Sequence, residues 1–149
     1  MRQGLVLFVL WVMTLVSCTK EENAPVFSPV PKIEFVSMTP GNVKAWQDSV
    51  VFTLKYEDGD GDLGENTAGS ENLFLTDSRT NGSYTFRIRE LVPKGESVPI
   101  KGSLRFVLPF TFLSDEGVSS EQVTFEIHVK DRAGRESNKV KTPTLQVSR

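Results

Sequence analysis

The feature of this sequence that most constrains its fold is an alternation of apolar and polar residues. In "QVTFEIHVK", residues 122–130, every second side chain is apolar and those between are polar, and residues 50–56, 84–88 and 104–110 follow a similar pattern. Successive side chains of a strand point to opposite faces, whereas a helix repeats every 3.6 residues or so. The pattern predicts strands with one buried face, and long helical periodicity is missing.

About seven strands are predicted, and they indicate an all-β fold, an immunoglobulin-like antiparallel β-sandwich. Strands with one apolar and one polar face suit two antiparallel sheets that pack face to face. Pro143 lacks a backbone donor, which favours an edge position for the last strand. The predicted strands lie near residues 32–37, 49–56, 71–77, 83–90, 102–110, 121–130 and 138–147.

Residues 1–17 are predicted to be a secretory signal peptide. Arg2 precedes an apolar stretch of 12 residues, from Leu5 to Val16, and small residues follow. This order of a positive, an apolar and a small-residue segment is typical of secretory signals. As a helix the apolar stretch would reach about 18 Å, against roughly 30 Å of hydrocarbon in a bilayer. It is therefore too short to span a membrane comfortably.

Residues 15–18, Leu-Val-Ser-Cys, resemble the lipobox of bacterial lipoproteins, in which the cysteine is diacylated and becomes the first mature residue. Cys18 is the only cysteine, so an intramolecular disulfide is impossible; the alternative is an unpaired thiol near an ordinary cleavage site. Several acyl chains would hold the protein stably to a membrane. The resemblance implies the outer membrane, because Thr19 and not aspartate follows, and residues 20–22, Lys-Glu-Glu, resemble a signal for the cell surface.

Three segments follow from this interpretation. Residues 1–17 are the lipoprotein signal peptide, residues 18–31 are the lipidated cysteine with a proline-rich tether, and residues 32–149 are one β-sandwich domain. Proline favours an extended backbone, so the tether would hold the domain away from the membrane. The composition, 38% hydrophobic and 24% charged, is that of an ordinary globular domain.

An acidic loop follows the second predicted strand. "YEDGDGDLGE", residues 56–65, places Asp58, Asp60 and Asp62 at alternate positions between glycines. Calcium takes about 6 to 8 oxygen ligands, and glycines allow the backbone to bend so that alternate side chains converge. The loop is not an EF-hand, because Leu63 occupies the position of that motif's glycine. The alternative is a plain turn with solvated acids, since Asp and Gly are common turn residues.

A second oxygen-rich loop follows the sixth predicted strand. It is "DRAGRESN", which begins at Asp131 and ends at Asn138. In a seven-strand antiparallel sandwich the second and sixth strands run the same way, so the loops after them emerge at the same end. The sequence therefore predicts a calcium site shared by both loops. Its expected ligands are Asp58, Asp60, Asp62 and Asp131, with Glu57 and Asn138 as additional candidates.

The two loops resemble the paired motifs of small Gram-negative surface lipoproteins that carry a single immunoglobulin-like or cadherin-like module. "YEDGDGDLG" and "DRAGRESN" are the stretches that carry the resemblance. It implies a β-sandwich with calcium at one pole. The chain has no tandem copies of the module, so the calcium stiffening between cadherin domains does not transfer to it.

Charge and the lack of catalytic motifs narrow the classes of function that this sequence favours. The net charge of -2 gives no basic field for nucleic acid. His128 falls on the outward face of a strand, where a solvated side chain is expected, and no nucleophile elbow is present. The sequence favours a lipid-anchored, non-catalytic binding or structural module of the outer membrane, engaging an envelope protein or glycan. The alternative is a glycan-directed accessory hydrolase with Glu57 and Asp62 as its carboxylate pair.

Trp46 precedes the second predicted strand. A tryptophan there could stack on a sugar ring, but covering one end of the sandwich core is the more usual role. The sequence therefore predicts that Trp46 packs over one end of the sandwich core.

Overall fold

Residues 27–149 are described by the structure, a computed structural model, and they form an all-β fold of ten strands. Among these residues no helix is long and apolar enough to cross a membrane. The signal peptide, Cys18 and most of the predicted tether lie outside the described residues. The strands are β1 (Lys32–Thr39), β2 (Asn42–Lys44), β3 (Val50–Asp58), β4 (Leu73–Asp77), β5 (Ser83–Phe86), β6 (Ile100–Leu108), β7 (Ser120–Val123), β8 (Phe125–Val129), β9 (Val140–Lys141) and β10 (Leu145–Ser148).

The strands form three sheets, in the orders β1-β3-β6, β5-β4-β8-β9 and β2-β10-β7. All neighbours are antiparallel except β2 and β10, which are parallel. The ladder between β3 and β6 runs unbroken from Val50 opposite Leu108 to Asp58 opposite Ile100. Because side chains alternate along a strand, this register sends one set of residues from both strands to the interior.

The core lies between β1-β3-β6 and β5-β4-β8-β9, which face each other as in a β-sandwich. Phe52 of β3 meets Phe125 of β8 edge to face, with ring centroids 5.7 Å apart. Phe86 of β5 lies 4.9 Å from Phe106 of β6. Burying one such side chain stabilises the fold by about 1.5 to 3 kcal/mol. The largest fully buried side chains are Phe52, Phe125, Leu54, Leu63, Leu73, Leu75, Leu108, Ile127, Leu145, Val50, Val123 and Val129.

The all-β prediction is confirmed. The predicted strand over 83–90 ends at Phe86, and the division into strands differs from the prediction in three further places. β2 was missed, because three residues are too few to show a period. The predicted strand over 121–130 is divided at Thr124, whose amide bonds to Ser78 Oγ at 3.1 Å; β7 before it pairs with β10, and β8 after it pairs with β4. The predicted last strand is divided into β9 and β10 around Pro143, whose nitrogen has no proton to donate.

The strand directions define two ends of the domain. β3 and β8 run the same way, so residues 59–65 and 130–138 meet at one end, called here the acidic pole. The described chain also enters there, where the Gly59 amide donates to the Ser28 carbonyl at 2.8 Å. The opposite end, the aromatic pole, carries residues 45–49, 78–82 and 109–119.

Candidate metal site

The acidic pole is built on the last residue of β3. The inward alternation of that strand continues to Asp58, which is fully buried. The Leu63 amide donates to Asp58 Oδ2 at 2.9 Å, which closes the acidic loop back onto the strand. Gly61 has φ +72, a conformation that glycine adopts without strain, and it turns the loop so that the flanking aspartates converge.

Arg135, from the second loop, holds three of the four predicted aspartates. Its Nη2 donates to Asp60 Oδ2 at 2.6 Å and to Asp62 Oδ2 at 3.0 Å. Its Nε donates to Asp131 Oδ2 at 2.6 Å, and its backbone amide donates to Asp131 Oδ1 at 2.8 Å. The loops that were predicted to meet therefore do so through a guanidinium.

The remaining carboxylate oxygens of the acidic loop are buried and lack donors. The Oδ2 atom of each of these aspartates, Asp58, Asp60 and Asp62, accepts a hydrogen bond from the protein. The Oδ1 atom of each has no hydrogen-bond partner among residues 27–149. The three residues offer one carboxylate oxygen each within 4.8 Å of one another. Such a group could hold a metal ion, because hydrogen bonds fix one side of each carboxylate and leave the other side as a ligand.

The pKa values of the cluster report the crowding of charge. Burial, together with the charges of Asp131 and Asp60, raises the pKa of Asp62 to about 6. Burial also raises the pKa of Asp58. For Asp60 burial acts in the same direction, but hydrogen bonds from Arg135 and with Asp58 outweigh it and lower the pKa. The four aspartates face one guanidinium in the cluster, so negative charge is left over at neutral pH.

The other predicted ligands lie in different surroundings. Both oxygens of Asp131 bond to Arg135, so it anchors that side chain. Glu57 is exposed on the outer face of β3, opposite Lys32 and Lys101 in the register. The side-chain Nδ2 of Asn138 donates to the Ile33 carbonyl, and its Oδ1 accepts from the Ile33 backbone amide, both at 2.9 Å. A ligand role for these three residues stays a prediction.

Arg132 fastens the acidic pole from a second direction. Its Nη1 donates to the carbonyls of Gly64 and Val92, both at 3.1 Å, and its amide donates to the Asp62 carbonyl at 3.1 Å. Three loops are thereby joined. Sequence reasoning missed both Arg132 and Arg135, because an arginine in a polar loop is usually solvated; their position three residues apart between acidic stretches was the available signal.

Two further predictions concern single aromatic residues. The prediction that Trp46 covers the core is wrong, since its side chain is largely exposed at the aromatic pole. His128 is on the outer face of β8, where its ring stacks on Phe74 with centroids 4.8 Å apart. Burial lowers the pKa of His128, which disfavours the charged form of the ring.

Comparison of the chain with protein-family models, with curated proteins and with solved structures gave no match.

Proposed function

We propose that the protein is a lipid-anchored binding or structural module of the bacterial outer membrane, with calcium ordering its acidic pole. The proposal of a bound metal rests on three buried Oδ1 atoms, on Asp58, Asp60 and Asp62, that have no hydrogen-bond partners among residues 27–149. Burying such groups unpaired costs folding free energy, and a divalent cation bound by them would offset that cost. Calcium suits the site, because its ligands are oxygens and sulfur is absent from the loop.

The strand orders favour an immunoglobulin-like sandwich. In the sheet β1-β3-β6 the first, second and fifth of the main strands are neighbours, and β5-β4-β8-β9 joins the remaining ones. Immunoglobulin-like domains divide seven strands between two antiparallel sheets with such crossovers. In domains of that kind binding surfaces are carried by loops at the ends, which is where both polar and aromatic clusters of this chain lie.

Calcium binding is tested by thermal unfolding of a soluble form, residues 19–149, in chelator and then in rising calcium. All residues of the core cluster lie between Ile33 and Val147, so this form retains the whole core. Calcium at 100 times its Kd stabilises by about 2.7 kcal/mol, which corresponds to a rise in Tm of about 10 °C. Asp60→Asn and Asp62→Asn are expected to reduce the rise, and Glu116→Gln, an exposed acid at the aromatic pole, is the control. Absence of a saturable rise at millimolar calcium would remove the metal from the proposal.

The lipid anchor is tested independently of the metal. Cys18 lies outside the described residues, and the anchor is inferred from the lipobox resemblance. The full chain, expressed in a Gram-negative host with labelled palmitate, is expected to incorporate label and to fractionate with the outer membrane. Cys18→Ser is expected to abolish both. Recovery of unlabelled wild-type protein from the soluble periplasm would contradict the anchor.

A glycan-directed accessory hydrolase is the second candidate. The opposite pKa shifts of Asp60 and Asp62 favour it, since an acid and a base are recognised by environments that separate their pKa values. Beside Asp62 lies an open depression of about 450 Å³ that also includes Lys94 and Arg132. The check is release of reducing ends from envelope polysaccharides: the hydrolase predicts turnover that Asp62→Asn abolishes, whereas the binding module predicts none.

A further inference from the structure

Trp46 exposes most of its side chain to solvent at the aromatic pole. Its side chain is 65% exposed, and Phe110 beside it is 42% exposed. The Trp46 ring lies 5.1 Å from Phe110 and 5.6 Å from Phe112, centroid to centroid, at interplanar angles of 34° and 22°. The three rings are called the aromatic platform. Trp46 stacks on Phe112, while Phe110 is tilted against it, so two neighbouring rings hold the indole in place.

A buried ionic network supports the aromatic platform. The Arg79 guanidinium lies 5.5 Å from the Phe112 ring centroid and donates to the Phe112 carbonyl at 2.8 Å. Arg79 also bonds to Asp77 Oδ2 and Glu121 Oε2, both at 2.7 Å. A charged group with every donor engaged is held in one geometry, so Phe112 is a fixed base for the exposed ring.

The backbone of Trp46 is strained. Its φ is +63°, which is uncommon for a residue other than glycine and unfavourable for a bulky side chain. The Trp46 amide donates to the Thr111 carbonyl at 2.8 Å, which holds the loop in this conformation. A strained backbone conformation persists where surrounding contacts hold it in place, and such positions cluster at binding sites.

The extent of the aromatic platform limits what it can bind. Its two exposed rings offer roughly 250 Å² of apolar surface, against about 800 Å² on each side of a stable protein interface. The neighbouring side chains of Lys44, Gln47 and Asp48 are exposed and include one charge of each sign. The surface therefore suits a small, flat, uncharged ligand with polar groups around its edge.

We propose that the aromatic platform binds a pyranose ring of a neutral β-linked polysaccharide. The face of an aromatic ring carries the negative part of its quadrupole, and the axial C–H hydrogens of a sugar are weakly positive. A pyranose with only equatorial hydroxyls, such as glucose or xylose in β-linkage, presents that C–H face on both sides. Its edge hydroxyls would meet the polar neighbours of Trp46.

This inference deepens the proposed function by naming the class of partner, and it rests on that function only in taking the protein to be a binding module. The aromatic platform and the acidic pole are at opposite ends of the domain. Loss of calcium binding would therefore leave the sugar site standing, and loss of sugar binding would leave the metal site standing.

The experiment uses the same soluble form, residues 19–149, in which Trp46 is the only tryptophan because Trp11 is removed. Emission of Trp46 is followed while cellohexaose or xylohexaose is added up to about 10 mM, and heats of binding are measured by calorimetry. A saturable change in emission and a matching heat are expected. Trp46→Asn keeps a residue that tolerates positive φ, and Phe110→Ala removes the exposed ring beside the indole; each is expected to weaken binding about tenfold or more.

Leu91→Ala is the control, because Leu91 is an exposed apolar residue at the other pole and its loss should leave sugar binding unchanged. If neither hexaose changes the emission of Trp46 or gives a heat of binding, the proposal is overturned. Binding that persists in Trp46→Asn would place the sugar elsewhere and also overturn it. Self-association of wild type that Trp46→Asn abolishes, without sugar binding, would assign the face to a second copy of the chain instead.

Discussion

Arg135 Nη2 lies 2.6 Å from Asp60 Oδ2, a contact between residues 75 positions apart in the sequence. The same guanidinium reaches Asp62 and Asp131, so a single cation holds the two loops of the acidic pole together. Its own pKa is raised, mainly by the hydrogen bond with Asp60, which favours the charged guanidinium. The stability of the metal-free domain should therefore depend on this one side chain.

Replacing Arg135 by glutamine is expected to destabilise the metal-free domain by about 1 to 2 kcal/mol, since a partly exposed cation is removed from several carboxylates. The Tm in chelator should fall by about 5 °C, and calcium should restore more stability to this variant than to wild type. Arg89→Gln, an exposed arginine on the neighbouring loop, is the matched control. Equal melting of the Arg135 variant and wild type in chelator would contradict the role of the guanidinium.

The pKa of Asp62, raised to about 6, makes a prediction about pH. A carboxyl whose folded pKa lies above its unfolded value stabilises the fold at low pH, and that contribution is lost as the pH rises from about 4 to about 6. In metal-free buffer, the free energy of unfolding of Asp62→Asn should therefore rise by about 2 kcal/mol relative to that of wild type between pH 4 and pH 7. Denaturant unfolding at several pH values measures this difference; a difference independent of pH would refute the assignment.

Glu121 should make the aromatic pole sensitive to acid. Hydrogen bonds from the Ser114 amide lower its pKa to about 2, and the Asp115 amide, the Ser114 hydroxyl and Arg79 add to this effect. A depressed carboxyl pKa contributes stability above the unfolded value of about 4.5, and that contribution disappears as the pH falls towards 2. Wild type should be more stable than Glu121→Gln at pH 6, and the two should converge near pH 2. Parallel stability curves would show that the charge of Glu121 is irrelevant.

Gly64 and Gly69 allow a paired test of the acidic loop. Both have positive φ, +94 and +82, so alanine strains the backbone similarly at each. A Cβ on Gly64 would collide with the Arg89 carbonyl, whereas one on Gly69 would meet nothing within 4 Å. Gly69→Ala should cost about 1 kcal/mol, and Gly64→Ala at least about 2 kcal/mol more with weaker calcium binding. Equal losses in the two variants would mean that the close approach at Gly64 is unimportant.

Much of the fold could be predicted, because the two-residue period reports burial directly. Val123, Phe125, Ile127 and Val129 are all buried as the alternation requires. What the period cannot report is which strand pairs with which. Where the chain passes between sheets, Thr124 bonds to Ser78, 46 residues away, and the local sequence does not indicate this contact.

The candidate site was predictable in its location and not in its chemistry. Strand direction alone brings residues 59–65 and 130–138 to one end, and the Arg135 contacts with Asp60 and Asp131 place them there. The aspartates bond to Arg135 and not only to solvent because of side-chain geometry between two distant loops, which the local sequence does not report. The exposure of Trp46 was equally inaccessible, since its neighbours Phe110 and Phe112 come from a loop more than sixty residues later.

The contact between the Gly59 amide and the Ser28 carbonyl has a mechanical consequence. With the proposed lipid anchor and the proposed ligand both in place, a pull from the anchor would reach β1 at the acidic pole, and the ligand would resist it at the aromatic pole. The force then runs along the strands, so the seven residue pairs between β1 and β3 are loaded in shear and must yield together. Resistance to such a load is set by the rate of unfolding rather than by its free energy. Taken together, the proposed anchor and the proposed ligand therefore imply a domain that is loaded along its strands.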